Sequence, residues 1–185
     1  FVYGRRVFHE PGATHDHERT SHADVLLVDV TNPDRARLGA LKWTLWERFG
    51  VNSQQHEHSW DYEEYCRLAD PAYHALCALL HRAELPAVVI AHEFMGLATA
   101  LRCTLDRTRF RTVFHAHECS TARRICEALP GHDAAFYPAM RAAVARGRHI
   151  EDVFGSQADF ARHALVSQAH RLDVCLAVGP ETKAE

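Results

Sequence analysis

The feature that most constrains the fold is the alternation of short apolar segments with longer stretches of helical periodicity. Four segments have the length and β-branched content of buried strands: ADVLLVDV at 23–30, AVVIA at 87–91, TVFHA at 112–116 and DVCLAV at 173–178. Between them apolar residues recur at helical spacing, over about 35–49, 62–82, 95–105, 120–129, 133–146 and 156–170. Strands that alternate with helices form parallel sheets. The sequence therefore predicts an α/β fold, a Rossmann-like parallel sheet with helices on both faces.

Turn residues set the expected helix boundaries. Gly50 ends the helix of 35–49. Asp70-Pro71 is expected to divide 62–82 into two helices, because proline is tolerated in a first turn and disrupts a helix interior. The first residues, FVYGRRVF, are expected to form an additional antiparallel strand at a sheet edge, followed by a polar loop. We find no repeat and no second domain, so 1–185 is predicted to be one domain.

Composition excludes several classes of protein. A chain of 185 residues, 47% of them hydrophobic, is long enough for one core. The net charge of −3 provides no basic surface for nucleic acid or an anionic membrane. No apolar segment approaches the ~20 residues of a membrane-spanning helix, and the first residues lack the apolar core of a secretion signal. The six cysteines have no metal or redox spacing and are interpreted as reduced thiols, which predicts a cytoplasmic protein.

Two neighbouring predicted strands end in the same tripeptide, Ala-His-Glu. AVVIA is followed by His92-Glu93, and TVFHA is followed by His117-Glu118. Ligands bind beyond the carboxyl ends of the strands in open parallel sheets. Histidine can hydrogen-bond a sugar hydroxyl, and the helix that follows presents free backbone N–H groups. We interpret the two tripeptides as a candidate site; the alternative is that the glutamates favour helix N-termini and the histidines fill space.

These residues belong to a series of segments that resembles the N-terminal half of glycogen and starch synthases. In chain order the segments are FVYGR at 1–5, VLLVDV at 25–30, LWERFGV at 45–51, AHEFMG at 91–96, FRTVFHAHE at 110–118 and AHRLDVCLAVGPETKAE at 169–185. AHEFMG is similar to the family's histidine-acid-aromatic-x-(Ala/Gly)-Gly signature. The last segment is similar to Ala-x-x-Ala-Asp-x-x-x-x-Val-Ser, with which the first domain of these enzymes closes. The resemblance covers nearly the whole chain in the family's order.

The resemblance implies a retaining glycosyltransferase of the GT-B arrangement, in which two Rossmann-like domains face each other across a cleft. Residues 1–185 would be the N-terminal, acceptor-side domain, and the C-terminal domain that binds the nucleotide sugar would lie outside the sequence. The donor, such as UDP- or ADP-glucose, is a substrate, and no cofactor or metal is implied. The acceptor would be a glucan or another glycan. The domain alone is expected to be inactive, since half of the cleft is absent.

The resemblance also implies roles for individual residues. His92 would contact the transferred sugar near its reacting carbon and is the expected catalytic residue. The expected substrate-binding residues are His117, Glu93, Met95, Gly96 and Glu118. The two glutamates would orient the site or cap the helices that follow them. Gly96 would let the backbone approach a ligand closely.

The chain departs from the family at several positions. Phe94 stands where the family usually has tryptophan, and Gly179 stands where serine is common. The family's Lys-x-Gly-Gly loop, which contacts the donor phosphates, would precede residue 1. VFHAHE carries two histidines where the synthases usually carry one, which allows an acceptor other than glycogen.

A metal site is an alternative interpretation of the same histidines. The chain contains 15 histidines, and His115 and His117 alternate along a strand and so project from one face. Either His92 or Glu118 would extend them to a set of metal ligands. His9, His15, His17 and His22, the N-terminal cluster, are expected to lie in one loop, where they could bind a metal opportunistically. The His-Glu-x-x-His spacing of a helical zinc site is absent.

Other classes of protein are less consistent with the motifs. A nucleophilic hydrolase needs a glycine-flanked nucleophile, and Cys119-Ser120 has no flanking glycines. A dinucleotide-dependent oxidoreductase needs a glycine-rich turn after its first strand, where this chain has VTNPDR. The main alternative is a non-enzymatic module of the same fold that binds a carbohydrate or a partner protein. Trp43, Trp46 and Trp60 are expected to pack in the core or at a domain edge.

Overall fold

A computed structural model describes residues 2–9 and 20–184 and separates the chain into two units, 1–33 and 34–185. In the first unit, β1 (Val2–His9) pairs antiparallel with β2 (Thr20–Leu27). The antiparallel strand predicted for the first residues is therefore confirmed, although it lies in a separate two-stranded sheet. The prediction that 23–30 belongs to the parallel sheet was wrong, because an apolar segment alone does not specify its partner strand. Most of the predicted polar loop lies outside the described residues.

The second unit contains a parallel sheet of three strands. These are β3 (Ala87–His92), β4 (Phe110–Ala116) and β5 (Val174–Ala177), arranged in the order β3-β4-β5. Each coincides with a predicted strand to within two residues at either end. The α/β class and the parallel pairing are thus confirmed.

Helices connect and flank these strands. Their bounds are α1 (Arg35–Phe49), α2 (Ser53–His56), α3 (Trp60–Leu79), α4 (Glu93–Thr104), α5 (Ser120–Ala128), α6 (His132–Ala145), α7 (Ile150–Phe154), α8 (Ala161–Val166) and α9 (Pro180–Ala184). As predicted, α1 ends at Gly50, which adopts the left-handed conformation with φ 74°. None of the helices in the described ranges has the length and apolar character needed to cross a membrane.

Two helix predictions were wrong. The segment predicted to divide at Asp70-Pro71 is one helix, α3, with Pro71 in its interior. Pro71 leaves the carbonyl of Arg67 without its helical donor, but the buried residues on both sides of the proline favour a continuous helix. The single helix predicted over 156–170 is instead α8 and a 3-10 turn at Ala169–Arg171, with α7 preceding them.

Helices cover one face of the parallel sheet. α4 packs on β3 and β4, and Leu165 of α8 joins Leu97 of α4 in the same buried core. The three strands lie side by side in the same order as they occur along the chain. When successive strands are added in this way, the right-handed connections between them all lie on the same face of the sheet. On the other face Val88 and Ile90 are 61% and 54% exposed. Within the described ranges, the prediction of helices on both faces is therefore met on one face only.

Asp173, just before β5, connects that strand to β4. Its Oδ2 accepts hydrogen bonds from the backbone N–H of Thr112 at 2.7 Å and from the Thr112 hydroxyl at 3.0 Å, and its Oδ1 accepts one from Arg107. Thr112 itself is fully buried. The backbone hydrogen bond, followed by the side-chain bonds, lowers the pKa of Asp173.

We expect Asp173→Asn to lower the free energy of unfolding by about 1–3 kcal/mol at pH 7, because the buried Thr112 groups lose a charged acceptor. A carboxyl whose pKa is lower in the folded state stabilises the fold above its unfolded pKa of about 3.9. That contribution is lost as the pH falls through the folded pKa. In urea denaturation at a series of pH values, the difference from wild type should therefore shrink below about pH 4. Asp34→Asn is the control, since asparagine caps a helix as well as aspartate. A pH-independent difference would contradict the assignment.

Candidate functional site

The carboxyl ends of β3 and β4 bring three histidines together. His92, the last residue of β3, is paired in register with His115 of β4, and His117 follows the end of β4. His92 Nδ1 lies 3.2 Å from His117 Nε2 and 3.3 Å from His115 Nδ1. One ring nitrogen of each histidine lies within 4.8 Å of the other two. The two strand-end histidines predicted to lie side by side are adjacent, and His115 joins them.

The histidine cluster, defined as His92, His115 and His117, is accessible to a ligand. His92 and His117 are exposed, and His115 is half-buried. Side chains alternate along a strand, so His92 shares its face of β3 with the exposed residues Val88 and Ile90. The cluster therefore lies at one end of the sheet face that the helices leave uncovered.

Glu93 holds the two strand-end loops together. Its backbone has a φ of 54°, a left-handed conformation that is uncommon for residues other than glycine. Its side chain is buried, and Oε1 accepts hydrogen bonds from the backbone N–H of His117 and, at 3.0 Å, from that of Glu118. Glu93 thus positions the loop that carries His117.

Glu118 is exposed and forms an ion pair at the edge of a groove. Its carboxylate oxygens accept from Nη1 of Arg123 at 2.9 Å and 3.2 Å. Both residues line a groove of about 490 Å³ on α5 and α6, which His132 and Tyr137 also line. Sequence reasoning did not assign Arg123 to the site; the available signal was its position in the first turn of the predicted 120–129 helix.

Met95 and Gly96 lie in the first turn of α4, with Met95 exposed. A Cβ atom at Gly96 would lie 2.7 Å from Ala91 Cα and 2.8 Å from Ala91 Cβ. We expected Gly96 to let a ligand come close to the backbone. In the structure, its missing side chain instead lets α4 pack closely on β3. Gly96 sets how closely the helix packs on the strand that carries His92.

A second groove, of about 450 Å³, is formed by residues of α1 and the α2 region. It is lined by Trp43 and Trp46, whose ring centroids lie 5.0 Å apart, and by Lys42, which bonds to Glu57 and Glu63. Both tryptophans are exposed, as is Trp60 at the start of α3. Of the two expectations, packing in the core was therefore wrong, and packing at a domain edge stays a prediction. No strand-end residue lines this groove.

The chemistry open to the histidine cluster follows from the imidazole group. Each ring can donate or accept a hydrogen bond, or ligate a metal through an unprotonated nitrogen. Glu93 is committed to backbone N–H groups and Glu118 to Arg123.

No protein-family model matches the chain, and no curated protein sequence matches it.

Proposed function

We propose that the chain is the N-terminal, acceptor-side lobe of a retaining glycosyltransferase that transfers a sugar from a nucleotide-sugar donor to a glucan or another glycan. The observation that supports this proposal is the adjacency of His92 and His117, both exposed, at the carboxyl edge of a parallel sheet. This edge is where open α/β sheets bind their ligands. The resemblance of the surrounding segments to glycogen and starch synthases supplies the reaction, in a GT-B arrangement.

In the proposed reaction the histidines act on the transferred sugar. Transfer requires stabilisation of an oxocarbenium-like centre and of the departing diphosphate. His92 would hydrogen-bond a hydroxyl of the transferred sugar close to the reacting carbon, and His117 would contact the sugar or the acceptor from the adjacent loop. Glu93 would act through His117 as a positioning residue. A second lobe across the cleft would bind the diphosphate.

The proposal also specifies surroundings and partners. The nucleotide sugar is a substrate, and the reaction itself requires no resident cofactor. The partners are the donor, the glycan acceptor and the second lobe, with no role for nucleic acid or membrane. We place the protein in the cytoplasm, where its six cysteines would remain reduced.

The test is a transfer assay on the full-length polypeptide that contains both lobes, with UDP-, ADP- and GDP-sugars as donors. We expect transfer from at least one donor, and we expect His92→Ala to lower kcat/KM by about 100-fold, the usual cost of one donor to a charged transition state. His58→Ala, a change at an exposed histidine between α2 and α3, is the control.

Two results would contradict the proposal. Wild-type rates in the His92→Ala protein would remove this residue from its proposed role. An absence of transfer with every donor, together with retained binding of a glycan, would favour a non-enzymatic carbohydrate-binding module of the same fold.

A further inference from the structure

Two of the three nitrogen separations in the histidine cluster match a zinc centre, and the ligand nitrogens of all three residues lie within 4.8 Å of one another. Tetrahedral zinc holds imidazole nitrogens at about 2.0–2.1 Å, which places two ligand nitrogens about 3.3 Å apart. His92 Nδ1 lies 3.2 Å from His117 Nε2 and 3.3 Å from His115 Nδ1. The two short separations therefore match those of neighbouring ligands on one ion.

Hydrogen bonding alone accounts poorly for this arrangement. A neutral imidazole nitrogen either donates one hydrogen or accepts through one lone pair. His92 Nδ1 faces a ring nitrogen of both His115 and His117, so a hydrogen bond with one leaves the other without a partner inside the cluster. A cation placed between the rings would accept a lone pair from each of the three.

The cluster is also held in place by the fold. His92 and His115 lie on paired strands in register, and Glu93 fixes the backbone of His117. Zinc sites with three protein ligands keep a fourth position for water or substrate. The exposure of His92 and His117 leaves such a position accessible from solvent.

We propose that His92, His115 and His117 bind one Zn²⁺ ion, with a fourth position open to solvent. This site stands on the geometry of the cluster and is independent of the transferase proposal. If the proposed function is also correct, zinc and sugar would compete for His92, and this one consequence rests on the proposed function. Because His115 has no role in the proposed transfer, the two proposals can fail separately.

The test measures metal binding to the chain by calorimetry with Zn²⁺ and by the visible absorption spectrum with Co²⁺. We expect one ion per chain and the spectrum of tetrahedral Co²⁺ bound through nitrogen, without the charge-transfer band that cysteine thiolates produce. Replacement of a second-shell residue weakens metal binding by about 10–100-fold, so loss of a ligand should weaken it by at least about 100-fold. We therefore expect at least that loss in His115→Asn and in His117→Gln.

Two controls separate this site from other histidines. His170→Asn changes an exposed histidine on the 3-10 turn before β5 and should bind Zn²⁺ as wild type does. A variant with His9, His15, His17 and His22 all changed to glutamine removes the N-terminal cluster and should also retain the ion. Melting curves recorded without metal establish that each variant is folded.

Several outcomes would overturn the zinc site. These are the absence of stoichiometric binding, a thiolate charge-transfer band, and unchanged affinity in folded His115→Asn and His117→Gln proteins. Binding that is lost in the N-terminal variant would assign the ion to that region instead.

Discussion

Gly96→Ala is expected to lower the free energy of unfolding by about 3 kcal/mol, the upper part of the range for overpacking. Alanine is favoured over glycine inside a helix by about 1 kcal/mol, so propensity alone predicts the opposite sign. The new Cβ would lie 2.7 Å from Ala91 Cα, a backbone atom that a side-chain rotation cannot move away. α4 would have to shift away from β3, and the buried contacts between them would be lost.

Gly39→Ala is the matched control for this prediction. Gly39 lies inside α1, in its second turn, and a Cβ atom there would have nothing within 4 Å. This substitution should raise the free energy of unfolding by about 0.5–1 kcal/mol through helix propensity and the reduced entropy of the unfolded chain. Urea denaturation of the two variants should give opposite signs. A Gly96→Ala protein at least as stable as wild type would show that α4 does not pack on β3 as closely as described.

The second large effect is expected at Glu93. Glu93→Ala removes the acceptor of two backbone N–H groups, at His117 and Glu118, and retains the left-handed backbone. We expect it to lower the free energy of unfolding by about 3 kcal/mol, because two part-buried hydrogen bonds to a charged acceptor are lost, each worth about 1.5–3 kcal/mol. Glu93→Gly removes the same acceptor but relieves the left-handed conformation, which should recover about 1 kcal/mol. Glu93→Gln, which keeps an oxygen acceptor, should have the smallest effect.

Urea denaturation of the three variants, with hydrogen exchange at the amides of His117 and Glu118, checks this order. Both amides should exchange faster in Glu93→Ala and Glu93→Gly than in Glu93→Gln. Equal stability of the alanine and glycine variants would argue against the left-handed backbone. Unchanged exchange in both would argue against the hydrogen bonds.

Local patterns were sufficient to predict much of the second unit. The β-branched content of 87–91 and 112–116 predicted strands, and both segments are strands of the parallel sheet. Helix termini with a local cause were also predicted, as at Gly50, where glycine accommodates a positive φ.

The errors in the fold depend on contacts between distant residues. The segment 23–30 is apolar enough for a parallel sheet, but its pairing with β1 is a property of two segments together. Pro71 disfavours a helix interior locally, and burial of Cys66 and Ala75 on either side outweighs it. Which face the crossovers cover depends on the strand order of the whole sheet, and no single segment contains that information.

The candidate site was predicted in part. The repeated Ala-His-Glu tripeptide correctly indicated that His92 and His117 lie together, because parallel neighbours end at the same edge. The direction of the Glu93 side chain was not predictable, since it depends on a positive φ that local sequence does not favour for glutamate. The roles in sugar transfer remain predictions for the assay described above.

The uncovered sheet face has a practical consequence for anyone who purifies this protein. Val88 and Ile90 of β3, with Val174 and Leu176 of β5, present apolar side chains to water. Exposed apolar strands attract one another and promote aggregation. A mild detergent that shields these side chains should therefore raise the solubility of the protein at high concentration.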